Sequence, residues 1–241
     1  MLIDLNCDMG EGMDTDEAIF PYISSANISC GYHAGDVDTM RRTVELALRH
    51  HVAIGAHPSY PDRANFGRVD MLGRGVEPEE IGGLIVDQLI RLQAICDEFG
   101  TRLHHVKPHG ALYNRAGRDA VVSALICRAI REFDVSLQLY GLSGSVMKAA
   151  AEQHGLVFIN EVFADRTYQP DGSLTPRTSS DALIEDPARC IAQVEKMVRE
   201  GRVTVAGGGE IDICAETICL HGDGGHAVEF AKMIHAYSKQ L

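Results

Sequence analysis

The stretch "DLNCDMGEG" (residues 4–12) alternates polar and apolar side chains. Asp4, Asn6 and Asp8 fall at one parity, and apolar residues fall between them. Successive side chains of a β-strand point to opposite faces, so this strand has one polar and one apolar face. The apolar face suits packing against helices. We therefore predict that the polar face points to the interior of a barrel.

Six further strand-like runs follow, and helical patterns lie between most of them, which is typical of a parallel sheet. No glycine-rich dinucleotide fingerprint follows the first strand, and polar clusters follow many strands instead of one switch point. This pattern favours a closed or nearly closed barrel over an open sheet. The predicted strands are Leu2–Cys7, Ala26–Cys30, Val52–His57, Leu103–Lys107, Ser136–Tyr140, Leu156–Glu161 and Thr217–His221.

The helices are predicted from apolar periodicity and from their end signals. No linker, repeat or low-complexity tract divides the sequence, so we expect residues 1–241 to form one α/β barrel domain of seven parallel strands. The segment Val203–Glu216 is predicted to form an extra hairpin or bulge. The predicted helices cover residues 36–51, 77–100, Asp119–Phe133, Ser143–His154, Pro187–Glu200 and Gly224–Lys239.

The composition excludes several classes of partner. A net charge of −12 argues against nucleic acid and anionic membranes as partners.

The seven cysteines are scattered, form no C-x-x-C pattern and sit mostly among apolar residues, which is typical of a reduced cytoplasmic protein. The first residues lack the basic and apolar regions of a signal peptide, and no stretch is long and apolar enough to span a membrane.

Polar residues concentrate where the predicted strands end, and in parallel barrels this is the end that carries the active site. Side-chain parity directs a polar residue from five strands to one interior. We expect these inward side chains to form a shared site: Asp8, Asn27, His57, Lys107, His109, Glu161 and His221, with His33 placed near them by its position in the chain.

Some of these residues have structural alternatives. Asp36 can cap the following helix or serve the site, and parity turns Cys30 away from the interior, against a role as nucleophile. Lys107 is costly to bury unless it meets an anion, so we expect it to hold a carboxylate, phosphate or carbonyl. Arg68, Arg166 and Arg177 can together form an anion clamp.

Six motifs occur in the order in which they occur in the LamB/YcsF family, over nearly the whole chain: "DLNCDMGEG", "SANISCGYHAGD", "GAHPSYPDRANFGR", "VKPHGALYN", "EVFADRTY" and "CLHGDG". The resemblance implies a seven-stranded barrel of the glycoside hydrolase/deacetylase type. It also implies a 5-oxoprolinase activity, which opens the lactam ring of 5-oxo-L-proline to L-glutamate as ATP is hydrolysed. Two partner subunits, B and C, are implied as well, and self-association is left open.

The resemblance carries site roles onto matching residues of this sequence. The catalytic set is Asp8, His33, His57, Lys107, His109, Glu161 and His221. The set that binds substrate or nucleotide is Asp4, Asn6, Glu11, Asn27, Asp36, Arg68, Tyr113, Asn114, Asp165, Arg166, Tyr168 and Asp223.

Related deacetylases bind metal through an aspartate and two neighbouring histidines, whereas His33 and His57 lie on different strands, so a metal is not implied directly. Mg²⁺ with ATP is a candidate, held by Asp4 and Asp8. The sequence has no P-loop, so ATP can belong to a partner subunit.

A hydrolytic mechanism needs a base and an acid. The base is a carboxylate (Asp8 or Glu161) or a histidine (His33 or His57), and the acid is His109 or His221. Two alternatives remain: a metal-dependent amidohydrolase or deacetylase that needs no ATP, and a non-catalytic substrate-binding subunit.

Overall fold

A computed structural model describes residues 3–240. The strands are β1 (Asp4–Met9), β2 (Ser25–Ser29), β3 (Ala53–His57), β4 (His105–Val106), β5 (Gln138–Leu142), β6 (Phe158–Phe163), β7 (Arg202–Thr204), β8 (Glu210–Asp212) and β9 (Thr217–His221). Seven parallel strands close into a barrel in the order β1-β2-β3-β4-β5-β6-β9, and β9 pairs back with β1. A separate antiparallel hairpin is formed by β7 and β8.

All seven predicted barrel strands are present, and the closed barrel is confirmed. The start predicted for the first strand, Leu2, lies outside the described residues. The fourth strand is shorter than predicted, although the amides of His104 and Lys107 still bond to carbonyls of β3 at 2.7 and 2.9 Å. Pro108 has no amide hydrogen to continue the ladder. The predicted hairpin is β7–β8.

Helices alternate with the barrel strands and cover the outside of the barrel. They are α1 (Asp16–Ile19), α2 (Val37–Arg49), α3 (Ile81–Glu98), α4 (Gly110–Ala116), α5 (Ala120–Phe133), α6 (Met147–Gln153), α7 (Pro187–Glu200) and α8 (Ala227–Ser238). Each predicted helix is present, and α7 has the predicted bounds. Two short helices, α1 and α4, were not predicted.

The strands separate an apolar outer layer from a polar interior, as their alternation predicts. Leu5, Cys7 and Cys30 belong to the buried apolar core. Burial raises the pKa of the Cys30 thiol to about 12, which agrees with a packing role.

Inside the barrel, Asn6 donates to Thr217 Oγ1 at 2.8 Å, and Asn27 donates to Asn6 Oδ1 at 2.8 Å. Among the described residues no helix is long and apolar enough to cross a membrane.

Candidate functional site

A cavity of about 340 Å³ opens at the carboxyl ends of the barrel strands. This is the end at which barrel enzymes carry their active sites, and the volume lies at the small end of the range of about 300–1,000 Å³ typical of ligand pockets. The predicted site residues that line it are Asp8, Glu11, His57, Arg68, Lys107, His109, Tyr113, Asn114, Arg166, His221 and Asp223.

Lys107 lies at the base of this cavity between two carboxylates. Its ammonium is 2.8 Å from Asp8 Oδ1 and 2.9 Å from Glu161 Oε1, and it donates to Cys219 Sγ at 3.0 Å. Burial alone would lower the pKa of Lys107, but the two carboxylates outweigh it and raise the pKa well above its usual value. Lys107 thus meets anions, as its burial requires, but they are internal carboxylates that already accept its protons. Its contact with a bound anion stays a prediction.

Asp8 is the carboxylate that connects this ion pair to the cavity. Burial alone would raise the pKa of Asp8, but the charges of His57 and Lys107 hold it well below the usual range. Asn27 fixes the same group by donating to Oδ1 at 2.9 Å. Asp8 is thus an ionised carboxylate that faces the cavity.

Three histidines and Glu11 form a second cluster beside Asp8. The Nε2 atom of His57 lies 2.9 Å from His109 Nδ1 and 3.3 Å from Asp8 Oδ2. Glu11 Oε1 lies 2.9 Å from His33 Nε2 and 3.3 Å from His109 Nδ1. Burial raises the pKa of Glu11 and lowers the pKa of His33 to about 2.

His221 and Asp165 form a dyad on the opposite wall. The ring Nδ1 and the backbone amide of His221 both lie 3.0 Å from Asp165 oxygens. Burial alone would raise the pKa of Asp165, but His221 outweighs it and lowers this pKa. Since a carboxylate fixes Nδ1, the Nε2 atom is directed to the cavity, 4.0 Å from Asp8 Oδ2.

Two arginines at the mouth of the cavity share one carboxylate. Arg68 and Arg177 lie 3.1 and 3.2 Å from Asp223 Oδ2 and come from different loops. The guanidinium of Arg68 also stacks over Phe66, 4.9 Å from the ring centroid. The cationic surface of the site therefore lies at its mouth, where a carboxylate or phosphate can replace Asp223.

Arg166 lies deeper than the other two arginines. Its guanidinium donates to the backbone carbonyls of Thr175 at 2.6 Å and Ala182 at 3.3 Å. Burial lowers the pKa of Arg166 to about 10, so the group stays charged near neutral pH.

Several predicted site residues lie behind the cavity wall. Glu161 is fully buried, contacts Lys107 and accepts from the Tyr113 hydroxyl at 2.6 Å. The Tyr168 hydroxyl accepts from the Phe163 amide at 2.8 Å. The residues behind the wall support those that line the cavity, and their own roles in binding or catalysis stay predictions: Asn6, Asn27, His33, Glu161, Asp165 and Tyr168.

Asp4 and Asp36 lie outside the site altogether. Asp4 is at the opposite end of β1 and accepts from the hydroxyls of Ser24 and Ser25 at 2.6 and 2.7 Å. Asp36 caps α2 by accepting from the Thr39 amide at 2.8 Å, so only its capping alternative is confirmed.

This placement also excludes the predicted Mg²⁺ ligands. Asp8 lies four positions after Asp4 along the strand, or about 13 Å at 3.3 Å per residue. One ion cannot bind both carboxylates, so the Asp4–Asp8 site for Mg²⁺ is wrong.

Cys219 is the inward residue that sequence reasoning missed. The alternation that directs His221 inward also directs Thr217 and Cys219 inward, so parity could have identified it. Phe163 and Thr175 also line the cavity, but Thr175 lies in an irregular loop that offers no periodicity to read.

Fold and site together define a class: a parallel (β/α) barrel with acid–base groups in a small cavity at the carboxyl ends of its strands. The sequence profile of the LamB/YcsF family matches residues 3–240, and the chain belongs to that family.

Known proteins resemble the chain over nearly its full length. A protein of Histophilus somni (strain 129Pt), named as the A subunit of 5-oxoprolinase, is 49% identical and aligns over 99% of this chain and 95% of its own. A protein of the same name from Bordetella pertussis (strain Tohama I) is 51% identical, over 96% and 93% of the two chains.

Solved structures show the same fold. The lactam utilization protein of Thermus thermophilus has a TM-score of 0.90 and 39% identity, and the match covers 100% of this chain and 97% of that one. A barrel from Enterococcus faecalis V583, with a TM-score of 0.58 and 14% identity over 98% and 92% of the two chains, shares the fold alone.

Proposed function

We propose that this chain is the A subunit of a 5-oxoprolinase, which opens the lactam ring of 5-oxo-L-proline to L-glutamate with hydrolysis of ATP. The names of its relatives at about 50% identity support the substrate. One observation supports catalysis by this chain: a single cavity is lined by both the ionised carboxylate of Asp8 and the ring of His221, which Asp165 holds from behind.

Asp8 is the proposed general base. Its carboxylate is held by Lys107 and Asn27 through Oδ1, while Oδ2 lies toward His57 and His221. A water molecule at Oδ2 can lose a proton to Asp8 as its oxygen attacks the lactam carbonyl carbon. Such proton transfer contributes typically about 10²–10⁴-fold to a rate.

His221 is the proposed general acid. Ring opening requires a proton on the lactam nitrogen, which is otherwise a poor leaving group. Asp165 orients the ring and stabilises its cationic form, so that Nε2 can deliver a proton into the cavity. His109 fits this role less well because its Nε2 atom lies 2.8 Å from the Phe66 carbonyl and its Nδ1 atom faces His57 instead of open cavity.

The carboxylate of 5-oxoproline is proposed to bind at the mouth, between Arg68 and Arg177. Each guanidinium offers several donors, and one carboxylate, Asp223, already occupies this position. Substrate exchange with Asp223 leaves the lactam ring directed down the cavity toward Phe163 and Asp8.

ATP and the remaining subunits complete the proposal. Phosphorylation of the amide oxygen would make the lactam carbon open to attack by water. The sequence has no P-loop, so we place ATP binding at partner subunits B and C or at a shared interface, in a cytoplasmic complex.

The test is glutamate release from 5-oxoproline by this chain with its partner subunits and ATP. Asp8→Asn is expected to lower kcat at least about 100-fold, whereas the matched control Asp38→Asn, on the exposed side of α2, should leave it unchanged. Unchanged turnover in Asp8→Asn would assign the chemistry to the partners and leave this chain with substrate binding only.

A second function is favoured by the histidine cluster: a metal-dependent amidohydrolase that needs no ATP. The same assay separates the two functions, because glutamate release by this chain alone, without ATP, would overturn the proposal above.

A further inference from the structure

We infer that Glu11, His57 and His109 form a binding site for one divalent first-row transition-metal ion, such as Zn²⁺ or Co²⁺. The three side chains come from the loops and strand ends after β1, β3 and β4. Each of them lines the cavity, so an ion can reach the site. The inference does not depend on the proposed reaction.

The hydrogen-bond partners of the two histidines fix their tautomers. His57 Nδ1 lies 2.7 Å from the Lys107 carbonyl, and His109 Nε2 lies 2.8 Å from the Phe66 carbonyl. A carbonyl oxygen only accepts, so both of these nitrogens carry hydrogen. In neutral rings the other two nitrogens, His57 Nε2 and His109 Nδ1, are therefore bare lone pairs.

The two nitrogen atoms lie 2.9 Å apart with their lone pairs facing one another, and the Glu11 carboxylate lies beside them. Two lone pairs and a carboxylate repel unless a positive centre lies among them. Backbone carbonyls behind the rings are the usual partners that orient metal-bound histidines. The arrangement thus calls for a cation, either a metal ion or one additional proton.

The spacing of the three atoms fits a metal ion. Glu11 Oε1 lies 3.3 Å from His109 Nδ1 and 3.8 Å from His57 Nε2. Bonds of about 2.0–2.1 Å place neighbouring ligands roughly 2.9 Å apart in an octahedron and about 3.3 Å apart in a tetrahedron. Shifts of a few tenths of an ångström would bring all three atoms to one ion.

His33 lies in the same cluster but is not a ligand in this proposal. Its ring is parallel to that of His109, with an interplanar angle of 5° and centroids 3.7 Å apart. Two stacked rings cannot both direct in-plane lone pairs at one ion. His33 is instead a positioning residue, because it lies 2.9 Å from Glu11 Oε1.

A second group of potential ligands, Asp8, Cys219 and His221, does not form such a site. The Lys107 ammonium lies 2.8 Å from Asp8 and 3.0 Å from Cys219, so a cation there would be repelled at close range. Near Glu11, by contrast, two imidazoles and one carboxylate match the ligands that Zn²⁺ and Co²⁺ prefer over Mg²⁺. Three protein ligands leave open positions, as in catalytic sites.

The test is Co²⁺ titration of the full-length chain after treatment with a chelator, with no substrate present. We expect one ion per chain, measured by elemental analysis, and visible ligand-field absorption from the bound cobalt. The isosteric variant Glu11→Gln and the variant His109→Gln should each weaken binding by more than about 10-fold, because loss of even a residue that only orients a ligand costs about 10–100-fold. The matched control, His226→Gln on an exposed site, should bind as the parent does.

Thermal unfolding separates loss of the site from loss of the fold. Co²⁺ should raise the Tm of the parent and of His226→Gln but not of Glu11→Gln, provided that all three unfold cooperatively. Failure of the parent to bind stoichiometric Co²⁺ would overturn the inference. A shared proton between His57 and His109, detected by ¹⁵N NMR in the presence of Co²⁺, would overturn it too. Neither result would bear on glutamate release.

Discussion

Lys107 balances the charge of the site, because its ammonium contacts both Asp8 and Glu161. Lys107→Met is expected to leave two buried carboxylates without a cation and to cost about 3–5 kcal/mol in the free energy of unfolding. The double variant Lys107→Met/Glu161→Gln should recover part of that stability, since one of the charges is removed. Urea unfolding at pH 7 measures both, and equal stabilities would contradict this account.

The carboxyl group of Asp16 makes the free energy of unfolding depend on pH. Burial raises its pKa from 3.8 to about 6, although its Oδ2 accepts from the Gly10 amide at 2.9 Å. Between these values the folded state binds more protons than the unfolded state, so this residue lowers stability as pH rises from about 4 to 6. The loss is at most about 3 kcal/mol.

The variant Asp16→Asn keeps an acceptor for Gly10 but carries no charge. The stability of the variant relative to the parent is therefore expected to rise between about pH 4 and pH 6, as measured by denaturant unfolding at each pH. Asp38→Asn is the control, because its side chain is 79% exposed. An equal pH dependence in parent and Asp16→Asn would show that burial does not perturb Asp16.

At the scale of the elements, strands β3 and β4 fit together only because Gly55 has no side chain. A Cβ added there would lie 2.0 Å from His105 Nε2. The His105 ring cannot move aside, since it bonds to Asn27 at 2.8 Å and stacks on Tyr140 with centroids 4.0 Å apart.

Gly55→Ala is therefore expected to cost at least about 3 kcal/mol or to prevent folding, a large effect that follows from overpacking. The control is Gly83→Ala in α3, where an added Cβ meets nothing within 4 Å and should add about 0.5–1 kcal/mol. Thermal unfolding of the two variants gives the comparison. A Gly55→Ala protein as stable as the parent would contradict the contact with His105.

The elements also show which features of the sequence carry structural information. Period-two alternation predicted the strands, and Asp36 predicted the start of α2 by its capping chemistry. Helix α4 was missed because it has only seven residues, too few for a periodic pattern, and begins at Gly110.

Parity predicted which side chains of the site point inward but not what they meet there. The partners of Lys107 depend on the register between distant strands, because Asp8, Glu161 and Cys219 lie on β1, β6 and β9. The position of Asp4 was wrong for a related reason: parity gives the face of a strand but not the end at which a site forms. The depth of Glu161 depends on Tyr113, which lies on the unpredicted α4.

At the scale of the whole molecule, a net charge of −12 surrounds a site that we propose binds anions. The arginines at the mouth of the cavity come from separate loops, Arg68 after β3 and Arg177 after β6. Their positive charges must attract an anion against the negative potential of the molecule as a whole. The closed barrel makes this possible because it brings the loops of all seven strands to one end.

Barrel closure itself depends on hydrogen bonds between the first and last barrel strands. Thr217 on β9 accepts from Asn6 Nδ2 at 2.8 Å and donates to Asp4 Oδ2 at 2.5 Å, although β1 and β9 are the most distant strands in the sequence. Thr217→Val keeps the shape of the side chain but leaves the buried Asn6 and the partly buried Asp4 each short of a hydrogen bond. An unsatisfied buried polar group costs about 1–3 kcal/mol, and for a chain of this size each kcal/mol lowers Tm by about 2–4 °C. Thr204→Val, on the exposed hairpin strand β7, should change Tm little. Equal Tm values for the two variants would mean that the seam between β1 and β9 is held by its backbone pairing and apolar packing alone.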